Sequence, residues 1–591
     1  MKLSDYVMKF LSDIEVKNIF GFQGGSIVHL IDSLYKNPKL VYVQNYHEQA
    51  SAFSAEAYAR ITGNIGVALV SNGPGATNLV TGIANSYFDS VPCLYLAGQA
   101  NTYAIKTNND IRQQSFQETD IVTIVKSITK YAITIKDPSK IRFYLEKAVY
   151  LAKEGRPGPV LVDIPIDIQT ANISEDTLYS FFDSEEFVKL QQKIKPINSQ
   201  QVKETMQLLK ESKCPLLLVG GGVRLADGMK LIQDFVSITG VPVVTSLMGL
   251  DAFPHDNPNF CGFLGSYGNR SANFAVANAD FILVVGSRLD PRQTGGNVKL
   301  FATHAKIVHV DIDPNELMRA VPEAISIQSN LKEFFKVAIS IVKENHYLYS
   351  AWIEQIEEWK NKYPSYPSQN DKGYIDPNEF LHILSQNLNH HAIICSDVGQ
   401  NQMWVAQSCL LTIQQRLLNS GGLGSMGYSL PAGIGAYFAD QDAQIICVMG
   451  DGGIQMNIQE LQTIKKENIP AKIFIMNNHS LGMIRSVHEK YFNGACYGSV
   501  IDYSVPDFSK LAEAYGLEYT LIETKNDFSK LKTILCDKIS RIIEVIISDS
   551  SQTYPEPTPG RALEDQSPLL DRDEFDRNID VCVGRGVKSI Y

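Results

Sequence analysis

Short apolar runs rich in Val, Ile and Leu alternate with amphipathic stretches along almost the whole chain, and this alternation constrains the fold more than any other feature. Clear runs fall at residues 66–71, 159–164, 215–219, 281–285, 306–310, 392–396, 444–449 and 472–476. Strands that alternate with helices predict parallel sheets with helices on both faces. Strands buried on both sides need apolar residues at consecutive positions, as these runs have. The fold class expected is therefore α/β, with doubly wound parallel-sheet domains.

At roughly 100–200 residues per domain, the chain of 591 residues has room for three or four such units. A polar stretch at 172–199 and a second at 359–377, which contains Tyr-Pro-Ser-Tyr-Pro-Ser, read as linkers. They divide the chain into an N-terminal domain (1–171), a central domain (190–345) and a C-terminal domain (370–549). Beyond Asp549 the composition turns to Pro, Glu, Asp and Arg. A tail (550–591) is expected there, lying over the surface rather than building a core.

The formal net charge of −11 disfavours a nucleic-acid or acidic-membrane partner, since those surfaces are themselves anionic. No apolar run reaches the ~20 residues that a membrane span needs. Residues 1–10 are amphipathic and lack the apolar core of a signal peptide. The nine cysteines are scattered with no C-x-x-C pair. They are expected to be reduced thiols of a cytoplasmic protein, with neither a zinc site nor a disulfide framework.

The strongest local signal is the run 444–449 ending in Gly450-Asp451-Gly452-Gly453, with Asn477-Asn478 at the end of the next apolar run. Residues 457–468 between them read as a helix. A right-handed strand–helix–strand unit puts the C-terminal ends of both strands on one edge, where α/β sheets bind ligands. Asp451 and Asn478 then face a common point. A carboxylate plus an amide oxygen suits Mg²⁺, which takes few protein ligands and completes its shell with phosphate and water. Gly452 and Gly453 let a phosphate approach the backbone, beside the amides of the following helix. Alone, Gly-Asp-Gly reads better as a tight turn whose Asp caps a helix; the asparagine pair 27 residues on favours the ion.

This pairing resembles the signature of thiamine diphosphate (ThDP) enzymes, and the resemblance implies Mg²⁺ ligands at Asp451, Asn478 and the Ser480 carbonyl. In the N-terminal half, Glu48 stands in the first turn of a helix over 49–61, where a carboxylate complements the helix dipole. The strand 67–70 runs into Ser71-Asn-Gly-Pro-Gly-Ala-Thr-Asn78, a strand–turn–helix. Together these segments resemble the pyrimidine-binding domain of acetolactate synthases. The likeness extends over nearly the whole chain, through Phe116-Gln-Glu-Thr, Ser127-Ile-Thr-Lys, Gly155-Arg-Pro-Gly-Pro, Gly399-Gln-Asn-Gln-Met-Trp, Ser420-Gly-Gly-Leu-Gly-Ser-Met-Gly and Leu481-Gly-Met-Ile-Arg.

The resemblance implies three domains, pyrimidine-binding, central and diphosphate-binding, and a carboligase that decarboxylates pyruvate and transfers the hydroxyethyl unit to a carbonyl acceptor. It implies that Glu48 bonds N1′ of the aminopyrimidine, with Gly25 and Gln117 as further catalytic positions. It places Pro74, Asn78, Gly399, Gln400, Asn401, Gly424, Met426, Gly450, Asp451, Gly452, Gly453, Asn478, Gly482 and Met483 at ThDP. The family usually has His at position 401; Asn also donates a hydrogen bond there. Met426 would be the apolar wedge that bends the cofactor; without the motif, it reads as a core gap-filler.

In the central domain, Gly220-Gly221-Gly222 follows one strand, residues 285–292 a second, and residues 310–313 end a third. A glycine run that is not G-x-G-x-x-G is weak evidence for a dinucleotide. By resemblance these segments bind FAD through Arg156, Gly220, Gly221, Gly222, Ser246, Leu247, Met248, Gly265, Gly286, Arg288, Asp290, Arg292, Asp311 and Ile312. Carboligation moves no net electrons, so the flavin is expected to be structural. A homodimer or homotetramer acting on small molecules is implied as well.

The chain departs from the family at Ile166, where biosynthetic members carry Lys, at Val487, where they carry Trp, and at Pro291, usually Asp. The first two positions line the acceptor side. Loss of a cation and an indole there leaves three readings open: a plain acetolactate synthase, the same donor chemistry with a keto-sugar nucleotide acceptor, and a pyruvate oxidase-type oxidoreductase. A cofactor-binding protein without catalysis would not need Glu48.

Overall fold

The structure is a computed structural model, and it describes residues 1–108, 110–192, 196–366 and 374–582. The expected segments at 359–377, 172–199 and 550–591 fall partly outside the described residues. Three six-stranded sheets follow one another along the chain, and every strand pairing within them is parallel.

The first sheet has the spatial order Val41–Gln44, Asn18–Gly21, Gly66–Val70, Cys93–Gln99, Val160–Pro165, Tyr131–Thr134. The third has Arg416–Asn419, Ala392–Ser396, Gln444–Gly450, Lys472–Asn477, Arg541–Ile546, Glu518–Ile522. Counted from its own first strand, each reads 2-1-3-4-6-5, so the two sheets share one topology. The central sheet runs Ile325–Gln328, Lys306–Asp311, Phe281–Val285, Pro215–Val219, Val243–Thr245, Phe260–Phe263. That is the mirrored reading of 3-2-1-4-5-6, the order of dinucleotide-binding sheets, with its switch point between Pro215–Val219 and Phe281–Val285.

The central strands Gly66–Val70, Pro215–Val219, Phe281–Val285 and Ala392–Ser396 are buried at every residue, which is why they read as continuous apolar runs. The helix Glu48–Thr62 starts where His47 Nδ1 accepts the N–H of Gln49 at 3.1 Å and stops at Gly63, in the left-handed conformation. It packs on Ser429–Ala439 so closely that a Cβ on Gly435 would lie 2.0 Å from the Ser54 carbonyl oxygen. Ser54 Oγ donates to Pro431 O at 2.9 Å. Through this crossing one buried cluster contains side chains of both the first and third sheets. Among the described residues no helix is long and apolar enough to cross a membrane.

Five expectations need correction. The helix expected over 457–468 is instead a 3₁₀ turn Ile458–Glu460 followed by a short helix Leu461–Lys466, and a separate helix Asp451–Gln455 precedes them. Asn457 leaves helical geometry, and its Nδ2 donates to Gly427 O at 2.8 Å. The polar stretch 172–199 is partly structured, because Phe181, fully buried, gathers Phe143, Tyr150 and Phe187 around it. Trp359, taken as the start of the second linker, is buried in the helix Ser350–Lys362.

The tail does build core. Its helix Arg572–Ile579 inserts Phe575 beside Phe274 in the cluster that holds Trp352 and Trp359, and Trp359 Nε1 donates to Asn578 Oδ1 at 2.9 Å. Its charged residues face solvent or pair, as Arg572 does with Asp565, so composition hid the one apolar face. The expectation of nine free thiols fails for the same reason: the helix brings Cys582 onto Cys214 at the base of the central sheet, and the two form a disulfide across 368 residues of sequence. The other seven cysteines are free.

Replacing Phe575 by Ala removes a large buried side chain from this core, and its cost is about 3–5 kcal/mol. Urea unfolding followed by tryptophan fluorescence checks this, since Trp352 and Trp359 lie in the same cluster.

Candidate active site

The third sheet ends in four turns that meet at its C-terminal edge. The first follows the strand Ala392–Ser396, where Gly399 (φ 89°) leads into the helix Gln400–Ser408. The second is Gly450–Gly453, and the third is Asn477–Gly482. These belong to strands that are neighbours in the sheet, at the point where strand order reverses. A Cβ on Gly482 would fall 1.9 Å from Gln400 Oε1 and 3.0 Å from Asn478 Nδ2, and one on Gly450 would fall 2.9 Å from Asn401 Nδ2. The fourth turn carries Met426, whose methyl lies 3.6 Å from where a Cβ on Gly452 would stand. Gly424 (φ 71°) gives that turn its bend, and Met483 Sδ accepts from Tyr267 OH at 3.5 Å.

Asp451 is buried, and burial raises its pKa against the hydrogen bonds of Tyr503 OH and the Gly452 and Ser480 N–H groups. Tyr503 reaches Oδ1 at 2.9 Å, while Oδ2 has no hydrogen-bond partner. Gln400 Oε1 and Asn401 Oδ1 are likewise buried without partners. Buried oxygens of this kind are costly unless something meets them. The donor set, with Asn478 and Ser480 on the adjoining turn, is what a hard cation carrying a diphosphate requires.

The C-terminal edge of the first sheet holds the other group. Asn78 Nδ2 donates to Glu48 Oε2 at 2.9 Å, and Glu48 Oε1 lies 3.3 Å from where a Cβ on Gly75 would be. Glu48 is half-buried. The helix after the strand Gly66–Val70 begins at Pro74, whose missing N–H suits a first helical position. Gly73 (φ 60°) packs on Gln117, and Gly25 has no atom within 4 Å of a built Cβ, so its side faces open space. Ser26 Oγ and Ser71 Oγ lie 2.9 Å apart and tie the loop of Gly25 to the turn before Gly73. Gln117 itself is left-handed (φ 60°). Its loop is held by Glu118, whose carboxylate accepts the N–H groups of Lys106 and Gln114 at 2.7 Å and Ser115 at 3.1 Å. Burial works to raise the Glu118 pKa, and these N–H bonds hold it below the usual value.

A cavity of about 1250 Å³ opens outside the switch point of the central sheet. Twelve of the fourteen residues expected at a flavin line it: Arg156, Gly221, Gly222, Ser246, Leu247, Met248, Gly286, Arg288, Asp290, Arg292, Asp311 and Ile312. Gly220 and Gly265 do not; each is pressed on backbone, against Gly286 O and Arg292 O. Arg156 is held by Ser90 Oγ at 2.8 Å and Glu316 at 2.7 Å. Pro291 opens the short helix Pro291–Thr294, capped by Asp290, a position where proline is at home. Val487 lies on the helix Gly482–Tyr491 with Ile484 and Tyr491, all exposed, and Ile166 opens the helix Ile166–Thr170.

Several residues at these edges carried no sequence signal. Asp397, fully buried and pushed up to about 7 by burial, accepts the Gly427 N–H with both oxygens, at 3.1 and 3.0 Å. Tyr503 is 52 residues from the Asp451 it bonds. Glu460 accepts the N–H groups of Tyr46 and His47, at 2.8 and 3.1 Å, beside Glu48.

Models of thiamine pyrophosphate enzymes match the chain in three parts: the N-terminal TPP binding domain at residues 1–124, the central domain at 202–337 and the C-terminal TPP binding domain at 397–545. The chain is similar to the acetolactate synthase large subunit of Cyanidium caldarium, 38% identical over 562 residues that cover 93% of each chain. It is similar to that of Haemophilus influenzae, 34% identical over 95% of this chain and 97% of the relative. The Lactococcus lactis large subunit is 35% identical, over 93% of each.

Glu118→Gln keeps the shape of the side chain and removes its charge. Bonds to a charged acceptor are worth about 1.5–3 kcal/mol, so hydrogen exchange at the amides of Lys106, Gln114 and Ser115 should quicken at least about tenfold.

Proposed function

The chain belongs to the acetolactate synthase large subunit family of thiamine pyrophosphate enzymes, and on that ground we propose a ThDP-dependent carboligase that decarboxylates pyruvate and joins the hydroxyethyl unit to a second pyruvate. The observation that carries the reading is the edge of the third sheet. There a buried Asp451 oxygen without a partner, Asn478, the Gly450–Gly453 turn and the Met426 methyl converge. When bound, ThDP supplies the carbanion chemistry.

The protein's residues bind, orient and move a proton. Asp451, Asn478 and the Ser480 carbonyl hold Mg²⁺ and with it the diphosphate, with Gly399, Gln400 and Asn401 at its other side. Met426 would give the cofactor an apolar support. Glu48, oriented by Asn78, would hold or release a proton at N1′ of the aminopyrimidine. Gly25 and Gln117 bound the space beside it. The central cavity holds FAD, whose adenine and phosphates suit a crevice at a dinucleotide-type switch point. The flavin there is structural. Two chains complete each site, the pyrimidine end from one and the diphosphate end from the other, in a cytoplasmic homodimer or dimer of dimers. The relatives do not favour a keto-sugar acceptor or electron transfer to flavin.

Product analysis tests the reading: pyruvate with ThDP and Mg²⁺ yields acetolactate and CO₂, and a product oxidised at flavin instead refutes it. Glu48→Gln should bind ThDP normally and lose about 10²–10⁴ in kcat. Asp451→Ala should lose Mg²⁺-dependent ThDP binding by calorimetry, because one anchor of the ion is gone.

A further inference from the structure

The turn that carries Met426 is gripped from outside its own domain. Residues 419–427 leave the edge strand Arg416–Asn419 of the third sheet and run back to the helix Ser429–Ala439. Asp89, at the end of a helix of the first domain, accepts the N–H of Gly421 at 3.0 Å on one oxygen and that of Gly422 at 2.7 Å on the other. Arg60 seats Asp89 at 2.7 Å and donates to Asn419 O at 3.2 Å. Glu56 bonds the same guanidinium and accepts from Asn85 Nδ2 at 2.6 Å, and Asn85 Oδ1 receives Ser420 Oγ and Ser425 Oγ. The carboxyl groups are almost wholly buried. At the far end of the turn Asp397 holds Gly427 N.

A fold needs no buried ion cluster merely to join two domains, since apolar packing of the same volume does as well or better. This cluster instead fixes backbone groups in direction, on the segment that carries Met426, whose methyl lies 3.6 Å from where a Cβ on Gly452 would stand. We propose that Asp89, seated by Arg60, is a positioning residue that sets where Met426 stands over the diphosphate turn. The proposal rests on the reading of Met426 as the cofactor's wedge. A misplacement of about 1 Å at a reacting centre costs up to roughly 10²-fold in rate, which sets the scale of the effect.

The test compares holoenzymes saturated with ThDP and Mg²⁺. Asp89→Asn keeps the volume and offers only one acceptor oxygen to two N–H groups. It is expected to lower kcat by about 10²-fold with KM within about threefold, and to alter the near-UV circular dichroism of the bound aminopyrimidine. Ser420→Ala, milder and without effect on the ion pair, should lower kcat by about threefold to tenfold, the worth of one hydrogen bond. Both losses should vanish in a Met426→Ala background, because residues acting through one group are not additive. Losses that multiply with Met426→Ala, for either variant, overturn the proposal; should Asp89→Asn fail to fold, Ser420→Ala decides alone. Wild-type kcat in Met426→Ala removes the wedge reading itself, and that outcome is distinct because it leaves nothing for Asp89 to position.

Discussion

The close crossing of the helices Glu48–Thr62 and Ser429–Ala439 is the contact on which the rest depends. Neither helix has a strong polar face; the first is buried from Ala50 to Ala59 and the second from Ser429 to Ala436. Each therefore needs a partner on more than its own sheet. Small residues make the approach possible: a Cβ on Gly435 would strike the Ser54 backbone. Because both helices begin at functional turns, with Glu48 opening one and Met426 three residues before the other, the crossing sets how the two edges stand to each other. Glu460 and Asn457 then cross the same boundary with hydrogen bonds to Tyr46, His47 and Gln49.

At the third sheet, parallel pairing in register brings the ends of three neighbouring strands level, with Gly450 opposite Met476 and Ser396 opposite Val448. The turns that follow have no neighbours to satisfy their polar groups except one another. The hydroxyl of Tyr503 and the N–H groups of Gly452 and Ser480 fill part of that need and leave Asp451 Oδ2 unmatched. Chemistry at this edge follows from how parallel sheets end.

The strands were legible because full burial forces consecutive apolar residues, and 281–285 or 392–396 could hardly be anything else. Asp451 and Asn478 were legible because one crossover separates them. Asp89, Asp397 and Tyr503 were not, since each works on backbone or side chains that only the fold brings near. Arg60 is 359 residues from the Asn419 carbonyl it bonds. The tail misled through its composition: one phenylalanine on a charged helix is enough to enter a core that already holds two tryptophans. Cys214 and Cys582 misled because cysteines so far apart in sequence have no spacing to read.

The shared 2-1-3-4-6-5 order has a consequence of its own. In both sheets the helix between the second and third strands starts at the ligand edge, so Glu48 and the Met426 turn occupy corresponding places in two copies of one architecture. A chain made this way is internally a lopsided pair. At the ligand edge its halves differ in loop chemistry: one copy presents the carboxylate of Glu48, the other the glycines Gly450, Gly452 and Gly453 with the buried oxygens of Asp451. Duplication of a single unit would supply such a strand order twice. The crossing helices are then the seam of that pair, where the backbones lie too close for any side chain in place of Gly435.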